Sequence, residues 1–136
     1  MEQLSLDKDI KTICITAKSF PMGVLAAHQR LHALLPSMDG RRIFGISYGN
    51  TEGGIIYKAA VEELFEGEAI KHDCESFVIK KGAYISETLL DYQKDTTAIG
   101  TAFQRMLTDP RLDKEGYCLE IYISDKEVQC LVKLQD

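Results

Sequence analysis

One stretch of this 136-residue chain concentrates groups that can do chemistry: Tyr117-Cys118-Leu119-Glu120-Ile121-Tyr122-Ile123-Ser124. Successive side chains of a strand point to opposite faces. Tyr117, Leu119, Ile121 and Ile123 therefore share one face, apolar enough to pack under helices. Cys118, Glu120, Tyr122 and Ser124 share the other. Glu120 is thus expected mid-strand, on the sheet face away from the helices, beside a tyrosine. A carboxylate buried without a partner is costly. Glu120 must then be exposed, paired with a lysine, hydrogen-bonded to a tyrosine hydroxyl, or free for a cationic ligand. Tyr57 and Tyr84 stand in other strand-like runs and are expected to converge on it with Tyr122. A tyrosine ring offers an apolar surface, a hydroxyl and a negative π-face. Glutamate ringed by tyrosines suits an apolar cation, although half-buried strand packing is the ordinary role of any one tyrosine.

Other reactive residues carry less. His28 and His32 stand four apart on a helical stripe, a spacing found in zinc sites, but no third ligand accompanies them and Gln29 stands where HExxH needs a glutamate. No metal is expected. Cys14, Cys74, Cys118 and Cys130 form no CxxC pair, and three lie in apolar strand-like runs, as buried reduced thiols do. The run Gly49-Asn50-Thr51-Glu52-Gly53-Gly54 reads as a hairpin loop, because a phosphate-cradling loop would lead into a helix. With no nucleophile elbow, Walker loop or dinucleotide fingerprint, no cofactor is expected.

The bulk properties narrow the function classes. The formal net charge is −5, and the basic residues are scattered, with doublets only at Arg41-Arg42 and Lys80-Lys81. Direct nucleic-acid binding needs a basic stripe, so it is not expected. Residues 1–10 are too polar for a signal peptide, and no apolar run approaches the ~20 residues of a membrane helix. A cytoplasmic location without membrane contact is the expectation.

The elements that must position these groups follow from periodicity. Lys11 to Phe20 alternates as a strand, and Pro21 suits the first turn of a helix carrying the stripe Val24, Ala27, His28, Leu31, Leu34 and Leu35. Arg41–Tyr48 and Gly54–Glu62 read as a hairpin, and Leu64–Glu75 as a connection. Ser76–Leu90 reads as one strand bent at Gly82. Asp95 or Thr96 caps a second helix with the stripe Ile99, Ala102, Phe103, Met106 and Leu107. Tyr117–Ser124 and Glu127–Leu134 close with a last hairpin. The order is β-α-β-β twice, with helices and following strands offset by roughly 75 residues. This spacing predicts an α+β fold: duplicated β-α-β-β units (about 11–64 and 76–135) forming antiparallel sheet halves, two helices on one face, and a central cleft on the other. Residues 1–10 would be an N-terminal extension to a single domain at 11–136. Junctions between such halves hold small ligands.

Several short elements, in order, carry a resemblance: Phe20-Pro21 ahead of a helix, Phe44-Gly45-Ile46, Tyr57 with Ala59, Lys81-Gly82-Ala83-Tyr84, and Glu120-Ile121-Tyr122. Over about residues 10–135 the chain resembles the GyrI-like, or AraC-type effector-binding, small-molecule-binding domains. The resemblance implies a pseudo-twofold domain whose central cleft has a late-strand glutamate at its floor, matched by Glu120, with aromatics around it. Tyr122 is next along that face, and Tyr57 and Tyr84 match aromatic positions less closely. The chain departs from the family's regulators in lacking a helix-turn-helix, and with no tryptophan it cannot build an indole wall.

Three functions follow as expectations. The first is a stand-alone binding domain for an apolar or cationic small molecule, through Glu120, Tyr122, Tyr57 and Tyr84. The second, which the resemblance also implies, is a hydrolase of reactive natural-product electrophiles in which Glu120 is the catalytic residue, as general base or by orienting water, with a tyrosine as proton donor. The third is a gyrase-modulating interaction protein, an activity that the resemblance implies for stand-alone relatives; besides the small molecule, the partners in view are another protein or a second copy of the chain.

Overall fold

The computed structural model describes residues 1–136. Eight antiparallel strands form one sheet: β1 (Glu2–Leu6), β2 (Ile10–Thr16), β3 (Ile43–Gly49), β4 (Ile55–Glu62), β5 (Glu75–Ile79), β6 (Gly82–Leu90), β7 (Cys118–Tyr122) and β8 (Glu127–Lys133). The helices are α1 (Val24–Leu34), the single turn α2 (Glu68–Lys71) and α3 (Ala98–Met106). The strand order is β1-β6-β8-β7-β3-β4-β2-β5. The α+β class and antiparallel sheet expected from the sequence are observed. No helix is long and apolar enough to cross a membrane.

The order has a pseudo-twofold at its centre. β3 and β7 pair with each other and begin at residues 43 and 118, 75 apart. On that offset Gly45 is the counterpart of Glu120, and the two are direct pairing partners. The remaining strands repeat outward on both sides, β4-β2-β5 and β8-β6-β1. Two segments differ from expectation. Residues 2–6, read as an extension, form an edge strand on β6. The segment 76–90, read as one bent strand, is two strands that pair in opposite halves, broken at Lys80-Lys81. Gly82 opens β6 at φ +127, a conformation that disfavours side chains.

That break forces the sheet to curl. β5 and β6 stand six places apart in the order, roughly 29 Å in a flat sheet at ~4.8 Å per strand. The link from Ile79 to Gly82 spans at most about 11 Å. The inner face of the curl is filled by Ile10, Phe44, Ile46, Ile79, Tyr84, Tyr117, Leu119, Ile121 and Leu131, joined by Leu4 and Leu6 from one edge and Phe77 from the other. Tyr117, Leu119 and Ile121 therefore do not pack under the helices, as their apolar pattern suggested. A curled sheet has two apolar cores, and this strand face fills the inner one.

The helices pack outside. Ala27 and Leu31 of α1 lie with Ile13, Ile15, Ala59 and Val61. Ala102, Phe103 and Met106 of α3 lie with Ile85, Val128, Cys130 and Val132. Leu34 and Leu107, read from the sequence as members of the two apolar stripes, are instead about half exposed. α1 starts at Val24, after a turn through Pro21. Asp95 accepts bonds from the Thr97 backbone N–H and hydroxyl just ahead of α3. A buried ion pair of Arg41 with Glu68, the latter also accepting from the Leu64 N–H at 2.9 Å, fastens α2 to the sheet.

Candidate functional site

α1 covers β2 and β4, and α3 covers β6 and β8. Neither covers the central pair β3–β7, so a trough runs between the helices with that pair as its floor. Direct pairing partners share a face, so Glu87, Cys130, Glu120, Gly45, Ala59 and Ile15 form one row across the sheet. Cys130 packs under α3 and Ala59 under α1. Glu120 therefore lies on the helix-bearing face, between the helices. This corrects the expectation that it, and the cleft, lie on the face away from them.

Glu120 is 7% exposed and takes part in none of the chain's ion pairs. Gly45 makes room for it. A Cβ there would stand 2.9 Å from Glu120 Oε1 and collide with the Tyr57 hydroxyl. The Tyr122 hydroxyl donates to Glu120 Oε1. Next to it, at 3.3 Å, is the Tyr57 hydroxyl, which lies 2.9 Å from His28 Nε2. Since Tyr122 gives its only proton to the carboxylate, it can only accept from Tyr57. Tyr57 then accepts from His28 Nε2–H. Three donors thus point in series toward one carboxyl oxygen, which strengthens each bond.

Burial dominates the electrostatics. Desolvation raises the Glu120 pKa above the ordinary carboxyl value, against the bonds from Tyr122 and Tyr57, which lower it. Burial likewise raises Tyr57 and Tyr122, and the nearby Glu120 charge adds to both. His28 is pushed down to about 4 by burial and then by His32, so its imidazole is neutral at pH 7. The thiols of Cys118 and Cys130, which flank Glu120, are pushed up to about 11 and about 12, by burial first. Neither is a thiolate nucleophile at neutral pH.

Above the cluster a cleft of about 670 Å³ opens along α1. Pro21, Met22, Val24 and Leu25 form one wall, Tyr92 and Ile123 the other, and His28 and Tyr122 its base. Asp125 is its only acidic or basic residue apart from His28 and His32. Phe20 stacks on Tyr57 at 5.9 Å, and Tyr92 lies 6.2 Å from Tyr122. The cleft is large enough for a drug-sized apolar body.

Of the residues singled out from the sequence, Glu120, Tyr122 and Tyr57 come together. Tyr84 does not: it lies on the inner face, its hydroxyl donating to the Lys80 carbonyl at 2.6 Å and lying 2.6 Å from the Tyr117 hydroxyl. Its strand register places it there, since Glu87 on the same strand faces outward and Tyr84 is an odd number of residues away. His28, Gly45, Phe20 and Tyr92 were not assigned to the site. A histidine in an apolar stripe and a glycine in mid-strand were the available signals. His28 and His32 have ring centroids 6.3 Å apart, and no group of three metal-ligating side chains surrounds them.

No protein-family model matches the chain, and no curated protein matches it. Solved structures do. The chain is similar to an integron cassette protein from Vibrio cholerae, at 10% identity and a TM-score of 0.71, over 98% of this chain and 95% of that one. A hydrolase from Listeria innocua is similar at 12% identity and a TM-score of 0.63, over 98% and 90%. A protein solved bound to tetraphenylphosphonium is similar at 13% identity and a TM-score of 0.60, over 98% and 93%. A transcription regulation protein from Staphylococcus aureus matches at 10% identity and a TM-score of 0.63, over 99% and 97%. At these identities the likeness establishes a shared fold across the whole chain.

Proposed function

We propose that this chain is a small-molecule-binding domain of the GyrI-like type whose ligands are apolar, aromatic cations. The observation that carries the proposal is Glu120: a carboxylate at the floor of the trough, buried, with no cationic partner and hydrogen-bonded only by phenol hydroxyls. A charge held out of water without a counter-charge is unfavourable, and a bound cation removes that penalty. Tyr122, Tyr92, Phe20 and His28 supply ring surface for the ligand's body. Two similar structures fit this reading, one holding a lipophilic cation and one a transcription regulation protein.

Titration calorimetry with a panel of lipophilic aromatic ammonium ions and their neutral isosteres tests it. Wild type should prefer the cations, and Glu120→Gln should bind them at least about tenfold more weakly, one charge-assisted contact being worth that much. Equal affinities in the two proteins across the panel would sink the charge argument.

Hydrolysis is the second reading. Its support is the directional chain from His28 through Tyr57 and Tyr122 to a raised-pKa carboxyl, an arrangement suited to general acid–base work, and the likeness to a hydrolase. Turnover of a reactive electrophile, abolished by Glu120→Gln, would select it over binding alone.

A further inference from the structure

The base of the cleft and the buried carboxylate are separated by one side chain. Tyr122 lines the cleft, whereas Glu120 does not. The Tyr122 ring lies between them, edge-on to His28 at 5.7 Å and against Tyr92 at 6.2 Å. Its hydroxyl donates to Glu120 Oε1. A ligand in the cleft therefore meets the phenol ring first. It reaches the carboxylate only by breaking that hydrogen bond and moving the ring.

We infer that Tyr122 is a latch over Glu120 in the proposed binding site, one that every cation must displace and whose lost hydrogen bond only an ammonium ion bearing an N–H replaces. The inference rests on the cation-binding reading above. When the phenol leaves, Glu120 loses a donor in a buried place. A protonated amine replaces both the donor and the charge. A quaternary ammonium supplies charge alone and leaves an acceptor unmet, which is costly in a dry site. Tyr57 already lies against the carboxylate, so its bond is common to both complexes and does not distinguish the two cations. No lysine or arginine lines the cleft to blur the comparison.

A matched pair of probes isolates the effect: protonated N,N-dimethyl-(biphenyl-4-yl)methylamine and its N-methylated quaternary analogue, titrated calorimetrically at pH 7. Wild type should prefer the protonated amine about tenfold or more, the worth of one hydrogen bond to a charged group. Tyr122→Phe keeps the ring and removes the latch. It should raise the affinity of both probes about tenfold, because neither then has a hydrogen bond to break, and leave their ratio as in wild type. Tyr57→Phe leaves the latch bond in place and should keep the preference. Equal affinity of wild type for the two probes overturns the inference, and that result needs no variant to fold. So does a Tyr122→Phe variant that binds neither probe more tightly than wild type. If Glu120→Gln binds both probes as wild type does, the underlying cation reading fails as well. A Glu120 effect without N–H discrimination refutes the latch alone.

Discussion

At the scale of the residue, Glu120 is unusual for what it lacks. Desolvation raises its pKa, so the folded chain holds the proton more tightly than the unfolded chain does. The folded state then binds more protons between the unfolded carboxyl value, about 4.5, and the raised folded one. Stability contributed by this group is greatest below that window and falls as pH rises through it. Glu120→Gln should therefore be more stable than wild type at pH 8, by about 1–3 kcal/mol, the usual cost of burying an incompletely paired group. The gain should vanish below about pH 4. Thermal melts across pH 3.5–8 check this, and a variant less stable than wild type at pH 8 would contradict it. His28 acts in the opposite pH direction to an ion-paired histidine. Held neutral, with its pKa near 4, it lends stability above the unfolded value of 6.5 that is lost as pH falls toward 4. Glu120 and Tyr122 were legible as a pair because strand alternation puts them on one face. Tyr84 was misplaced because the registers of distant strands cannot be read from any one of them.

At the scale of the element, the site depends on how β3 meets β7. The pairing of Gly45 with Glu120 at the pseudo-twofold leaves room on one strand for the side chain of the other. Only one of the two repeats can carry a large residue at that position. Gly45→Ala should displace both the Tyr57 hydroxyl and the Glu120 carboxylate, because the added methyl falls among atoms that real Cβ contacts do not approach. The expected cost is about 1–3 kcal/mol from overpacking, with loss of cation binding in a protein that still folds. Calorimetry alongside chemical denaturation checks both parts; wild-type affinity in Gly45→Ala would contradict the assigned geometry. The duplicated β-α-β-β order and its offset of about 75 were legible, because helical stripes and strand alternation are local signals. The break at Lys80-Lys81 was not, since two strands joined by two residues look like one strand with a bend until their partners are known.

At the scale of the whole molecule, the curl decides which face does what. A flat sheet with one helical layer would leave the face without helices open for a ligand, and Glu120 was expected there. Closing β5 toward β6 turns that face into an interior packed with Phe44, Leu119, Ile121, Tyr84 and Tyr117. The outer face, between α1 and α3, keeps the cleft that Tyr122 lines. Of the apolar face of the strand carrying Glu120, Tyr117, Leu119 and Ile121 were read correctly as buried and wrongly as lying under helices, because burial alone does not say which core a residue joins; Ile123, beyond the end of β7, is exposed and lines the cleft instead. The likeness to solved structures extends over nearly the whole chain, so the fold as a whole is shared. The measurement that bears most directly on the account is a crystal structure of the chain with a bound aromatic ammonium ion. The cationic nitrogen should lie within about 4 Å of a Glu120 carboxylate oxygen, in ion-pair range, with the Tyr122 ring swung aside and the ligand's body between α1 and Tyr92. A ligand seated elsewhere, or one in the cleft with Tyr122 still bonded to Glu120, would contradict it.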